Sequence, residues 1–200
     1  MAGVLCARKL QQAGKDVILL EANRIGGGIT ARTTAVLTAQ HDFLYQDMIN
    51  RFDEETAKLY LHANLNAVKD FRKLSKTISC DFQDMPSIQY TTSEPDRMKR
   101  EAEAVNELGF HARFLEAAPL EVGAVGAVEY PGMAQFHPLK FLYKAAENLN
   151  VYENSRVLAL KDKTAILENG TVQAEQIVVA THFPFINRKG LYFMKLYQSR

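Results

Sequence analysis

Apolar positions recur along this chain with two different periods, and their alternation predicts its elements. Val4, Leu5, Ala7 and Leu10 fall at helical spacing within residues 4–13, and Gly14 supplies a C-terminal stop. Residues 16–21, DVILLE, follow as a short, continuously apolar run bounded by Gly14 and Asn23. That is the pattern of a strand covered on both faces. Over residues 53–76, Leu61, Leu65, Val68 and Leu74 return to roughly one face of a long helix, for which Asp53 is a suitable N-cap.

The texture changes near residue 79. Short extended pieces are expected around 80–82 and 88–92, then a charged helix over 95–108 that Gly109 ends. Strand-like stretches follow at 111–115 and 125–130. Pro138 stands just inside a helix expected to run to Leu149, in the first-turn position that proline favours. After Val151 the chain alternates in strand fashion through RVLAL, TAILE, TVQAE and QIVVA, with Asn169-Gly170 as a hairpin signal. The order predicts an α/β nucleotide-binding domain with a second, sheet-bearing region inserted in it.

Composition narrows the function classes. The 24 basic and 23 acidic residues leave a net charge of +1, so nothing drives the chain as a whole toward nucleic acid or anionic lipid. No apolar run approaches the roughly 20 residues that span a bilayer, and MAGVLCARKL lacks the layout of a secretory signal. Cys6 and Cys80 fit no metal-ligand spacing, and Cys6 reads as a small core residue. A reducing cytoplasm is the expected compartment.

Two features carry chemistry. Gly3 is followed by a helix, a strand and, 18 residues on, Glu21 at the strand's end. In a dinucleotide fold the glycine turn and helix N-terminus meet the pyrophosphate, and such an acid accepts the ribose hydroxyls. The same spacing fits a helix–strand unit that ends in a solvated glutamate. The second feature is Gly26-Gly27-Gly28-Ile29-Thr30-Ala31-Arg32-Thr33-Thr34-Ala35. Its glycines allow close backbone approach, its threonines offer hydroxyls, and Arg32 is a permanent cation; a flexible loop running into a polar helix start is the plainer account. His41, His62, His111, His137 and His182 show no metal-site spacing, and no Cys-x-His pair suggests a Rieske cluster. His41 follows the second feature and is a candidate for the surroundings of a bound cofactor or for packing. His137 is expected to cap its helix and His62 to be solvated.

The run EANRIGGGITARTTAVLTAQH resembles the D-amino-acid-oxidase and glycine-oxidase superfamily of flavoproteins, and most of all the branch that often carries a C-terminal Rieske domain. YPGMAQFHPLKFL, YENSRV and QIVVATHFPFINRKGLYF extend the resemblance in order over essentially the whole chain. It implies an α/β fold in which a Rossmann-like FAD-binding domain receives an inserted α+β substrate domain. The implied chemistry is oxidation of a C–N bond of an amine or amino acid by hydride transfer to flavin. The implied boundaries are 1–78 and 138–190 for the FAD domain, 79–137 for the substrate domain, and 191–200 for the start of a return to it.

Carried over by residue, Gly3 is the last glycine of the pyrophosphate turn, and Glu21, with Ala22 beside it, holds the adenosine ribose. Thr30, Ala31, Arg32, Thr33, Thr34, Ala35 and Leu37 run along the pyrophosphate toward the flavin. Val157 meets the adenine through its backbone, and Ala180 and Thr181 form a turn in which His182 stands where many relatives have glycine. No catalytic residue is identified. The resemblance implies that a first strand is missing ahead of Met1 and that the chain is an N-terminal portion of such an enzyme, with a Rieske domain or another electron acceptor supplied elsewhere. Two other readings stay open at this point: a non-catalytic remnant that holds no FAD, and an NAD(P)-binding module, since Glu21 suits either ribose.

Overall fold

The computed structural model describes residues 1–119 and 121–181. In chain order the elements are α1 (Ala2–Gln12), β1 (Ile18–Leu20), a 3-10 turn (Ile29–Arg32), β2 (Val36–Leu37), α2 (Leu44–Arg51), α3 (Glu54–Ser75), β3 (Gln83–Asp84), β4 (Ser87–Thr91), α4 (Pro95–Glu107), β5 (Arg113–Leu115), β6 (Gly126–Tyr130), β7 (Ala134–Gln135), α5 (Pro138–Ala146), β8 (Asn150–Tyr152), β9 (Val157–Lys161), β10 (Thr164–Leu167) and β11 (Gly170–Gln173). They form two compact units, one of Met1–Thr33 with Leu142–Arg200 and one of Thr34–Phe141. The expected tail 191–200 and the run from His182 onward lie outside the described residues.

In the first unit α1 buries Val4 and Ala7 and ends at Gly14, whose φ of +76° suits glycine. Arg8 Nη1 donates to the Ala145 carbonyl at 3.3 Å and Gln11 Nε2 to that of Asn148 at 2.8 Å, fixing α1 against the end of α5. β1 pairs in parallel with β8, Ile18 opposite Asn150 and Leu20 opposite Tyr152. Parallel strands so far apart in sequence need a long crossover, and here the whole second unit lies within it. β9, β10 and β11 form an antiparallel meander. The two-residue connection from β10 to β11 is Glu168–Asn169, so Gly170 already stands in β11 opposite Leu167 and the turn falls one place earlier than the hairpin signal suggests.

The second unit has a hydrophobic core built around α2, α3, α4 and β6. Asp53 caps α3 by accepting the Thr56 N–H at 2.6 Å, and that bond holds its carboxyl below the ordinary carboxylate value. α3 buries Ala57, Leu61 and Val68, while α4 buries Met98, Glu101, Ala102 and Val105 at helical spacing. β6 lies between β4 and β5, and its Val128 and Tyr130 join the same core as α4. Phe71, Phe136 and Phe141 form an aromatic trio with ring centroids 5.1–5.5 Å apart. The Tyr130 hydroxyl is buried without a hydrogen-bond partner among the described residues, and burial raises its ionisation well above the ordinary phenol value. Tyr130→Phe is therefore expected to leave stability unchanged or raise it by up to about 1–2 kcal/mol, measured by denaturant unfolding. A loss of that size would show that the hydroxyl is satisfied in solution.

Several expectations are corrected. Residues 176–180, QIVVA, form no strand: the run has no ladder partner among the described residues, and Ile177, Val178 and Val179 are 36%, 61% and 41% exposed. Its apolar character matches a covered strand, but periodicity cannot supply the neighbour that covers it. α5 stops at Ala146 rather than Leu149, and the piece expected at 80–82 pairs instead at Gln83–Asp84. α3 buries its apolar face in one core with α4 and β6, which places 34–78 in the same compact unit as 79–137. α2, β2 and β7 are elements that the hydrophobic pattern did not announce.

Candidate nucleotide site

In the first unit, the start of α1, the carboxyl end of β1 and residue 180 come together. A Cβ built on Gly3 would meet Leu19 Cδ1 at 3.4 Å and Ala180 Cβ at 3.5 Å. These are ordinary contact distances, so Gly3 marks a close approach without being sterically obligatory. Burial lowers the Met1 amino group below the ordinary terminal value, and the charge of the Glu21 carboxylate opposes that shift. The first turn of α1 carries no acidic residue and no side-chain cap. Its leading N–H groups and the positive end of the helix dipole suit an anion. The pyrophosphate of a dinucleotide fits this set of donors, and Glu21 at the strand end fits a ribose.

Glu21 is held by its own backbone. Its N–H donates to the Tyr152 carbonyl at 2.9 Å and its carbonyl accepts the Ser155 N–H at 2.8 Å. One carboxylate oxygen, Oε1, accepts the Asn23 N–H at 2.9 Å. Ala22 is half-buried beside it. Two of the three glycines that follow have a local reason. Gly26 has φ +76°, and a Cβ on Gly27 would come within 3.1 Å of the Arg24 carbonyl oxygen. A Cβ on Gly28 would meet nothing.

The remaining expected residues are dispersed. Thr30, Ala31 and Arg32 lie in the 3-10 turn, where Ala31 and Arg32 are exposed, and Thr33 follows as its cap. Val157 is half-buried at the start of β9, opposite Leu167, two residues beyond the Ser155 amide that Glu21 engages. Ala180 and Thr181 are exposed, and only Ala180 is placed against Gly3. Thr34, Ala35 and Leu37 belong to the other compact unit: Thr34 is exposed, Ala35 is buried with φ +51°, and Leu37 stands in β2.

The histidines fall into ordinary roles. His41 Nε2 lies 3.4 Å from Asn64 Oδ1 and packs edge-on to Tyr60. His137 Nδ1 accepts the Lys140 N–H at 3.3 Å, which caps α5, and His62 is exposed. Two glutamates were missed by sequence reasoning. Glu101 is 1% exposed in the second unit, where Oε1 accepts the Tyr45 N–H at 2.8 Å and Oε2 the Gln46 N–H at 3.0 Å. Glu153, in the first unit, accepts the Ile25 N–H at 2.7 Å. Both act across long sequence separations, and no local pattern signals such a bond.

Comparison with known proteins adds three findings. The family model described as DAO, FAD dependent oxidoreductase, matches residues 1–192. A curated relative named "Putative Rieske 2Fe-2S iron-sulfur protein YhfW", from Bacillus subtilis (strain 168), is 30% identical over 213 positions that cover 100% of this chain and 42% of the relative. Among solved structures, the glycine oxidase of Geobacillus kaustophilus superposes with a TM-score of 0.70 at 21% identity, covering 90% of this chain and 52% of that one. The L-proline dehydrogenase of P. horikoshii gives 0.63 at 20% identity, covering 85% and 47%. The chain thus spans about half the length of the proteins it matches. The structural likenesses show a mixed α/β, Rossmann-like architecture with an inserted sheet-bearing region.

Proposed function

The chain belongs to the DAO family of FAD-dependent oxidoreductases, and from that premise we propose that it is the FAD-holding part of an enzyme that oxidises a C–N bond of an amine or amino acid. The observation that carries this reading is the convergence of the α1 start, Glu21 and Ala180 at the carboxyl end of β1. Ligands of open α/β sheets sit at that end of the strands. In this reading the α1 amides at and beside Gly3 hold the pyrophosphate, Glu21 accepts from the adenosine ribose with Ala22 alongside, and the Val157 backbone meets the adenine. Ala180 and Thr181 shape the turn beside Gly3. For Thr30, Ala31, Arg32, Thr33, Thr34, Ala35 and Leu37, cofactor contact is proposed on family resemblance alone. Bound there, FAD supplies the acceptor for the hydride that leaves the substrate carbon.

The unit of Thr34–Phe141 is proposed to face the substrate, in keeping with the names of the relatives, a glycine oxidase and an L-proline dehydrogenase. The proposed electron acceptor is a Rieske-type centre carried outside this chain, which the name of the Bacillus relative supports. Amine or amino-acid substrates are tested by anaerobic mixing of the flavin-loaded protein with a panel that includes glycine and proline. We expect loss of the oxidised-flavin absorption with at least one member. A loaded protein that keeps its oxidised spectrum with every C–N substrate, yet is reduced by an alcohol, would overturn the substrate class.

A further inference from the structure

The loop between Glu21 and the glycine run is stitched to a second loop more than a hundred residues away. The Asn154 N–H donates to the Asn23 carbonyl at 2.7 Å and the Ser155 N–H to the Glu21 carbonyl at 2.8 Å. Between these backbone bonds and Gly26 a side chain makes the connection: Glu153 accepts the Ile25 N–H at 2.7 Å. The Ser155 hydroxyl donates to the Glu153 carbonyl at 3.0 Å, and Asn154 turns the chain with φ +50°. Glu153 is thereby presented on a tight turn rather than on a free loop. Beyond Ile25 the chain enters Gly26 and Gly27, whose Gly27 N–H returns to the Arg24 carbonyl at 3.0 Å.

A run of glycines has little conformational preference of its own, so its path is set by its anchor points. Ile25 is the last residue before that run, and the Glu153 carboxylate holds its amide. We propose that Glu153 is a positioning residue for the nucleotide site, fixing the exit from Glu21 into the glycine loop so that both reach the cofactor in one geometry. This rests on the proposed FAD site but adds a residue that touches none of the cofactor. What the role needs is an acceptor oxygen at this place. A negative charge is not needed, and next to a pyrophosphate it is no advantage.

The test uses Glu153→Ala and Glu153→Gln in the purified protein, with two readouts. Hydrogen exchange over residues 22–28 is measured on flavin-free protein, and FAD affinity by titration with flavin fluorescence. Glu153→Ala is expected to speed exchange at Ile25 by about tenfold and weaken FAD binding about three- to tenfold, the range set by one hydrogen bond to a charged acceptor at an exposed position. Glu153→Gln, which keeps the acceptor, is expected to stay within about twofold of wild type in both. Unchanged exchange and affinity in Glu153→Ala, or equal losses in both variants, overturn the role. If the wild type binds no FAD, the parent reading fails, and the exchange data still decide whether Glu153 holds the loop.

Discussion

Replacing Glu101 with alanine is expected to lower the stability of the protein by about 3 kcal/mol, which for a chain of this size is a fall of roughly 6–12 °C in melting temperature. The side chain reaches from α4 to the first turn of α2 and accepts the Tyr45 and Gln46 amides. α2 begins without a side-chain cap of its own, so removing the carboxylate strands these donors beside the core. Tyr45, 0% exposed, also donates its hydroxyl to the Ala39 carbonyl, so a shift of α2 disturbs a fully buried part of the core. Glu101→Gln retains one acceptor and is expected to cost about 1 kcal/mol.

The pH dependence of this site has a definite sign. Burial, the largest influence, raises the Glu101 carboxyl above its ordinary value of 4.5, against the opposing pull of the Gln46 and Tyr45 amides. The folded state therefore binds this proton more tightly than the unfolded chain. The stability tied to it is fully present below 4.5 and is lost as pH rises through the raised folded value. The advantage of wild type over Glu101→Gln should shrink as pH is taken from about 4 to neutrality, followed by thermal melts of both proteins across that range. An advantage that grows with pH would show that the two amides outweigh burial.

The second large effect concerns the cofactor. Glu21→Ala is expected to weaken FAD binding by about 10- to 100-fold, the loss of one or two hydrogen bonds to a charged acceptor. The fold should change little, because the bonds that tie Glu21 to Tyr152 and Ser155 are made by its backbone. Glu21→Gln should fall between the two. Titration of flavin-free protein gives the affinities, and far-ultraviolet circular dichroism checks the fold. Equal affinity in wild type and Glu21→Ala would remove Glu21 from the site.

What could be read from the sequence depended on how local its cause is. α3 was legible because Asp53 caps it three residues from the Thr56 N–H it accepts and its apolar face repeats regularly. α4 was legible from Pro95 at its first turn and Gly109 beyond its end. α2 was not, since the group that caps it stands 56 residues away. The two-residue strands β2 and β7 are too short to carry a period. QIVVA misled because an apolar run states what it would bury, not what lies beside it. At the candidate site, the spacing from Gly3 to Glu21 was legible because helix and strand are contiguous. The stitching by Glu153 was not, because the partners are 128 residues apart.

The central claim is that this chain holds FAD at the α1–Glu21 end of its first unit. Its most direct test is the visible absorption spectrum of the purified protein, with the flavin released by denaturation and counted against protein. The account predicts oxidised flavin at close to one per chain, identified as FAD, and a yield that falls in Glu21→Ala. A folded, colourless protein that takes up no FAD on reconstitution would contradict it and leave a non-catalytic relative of the flavoenzymes.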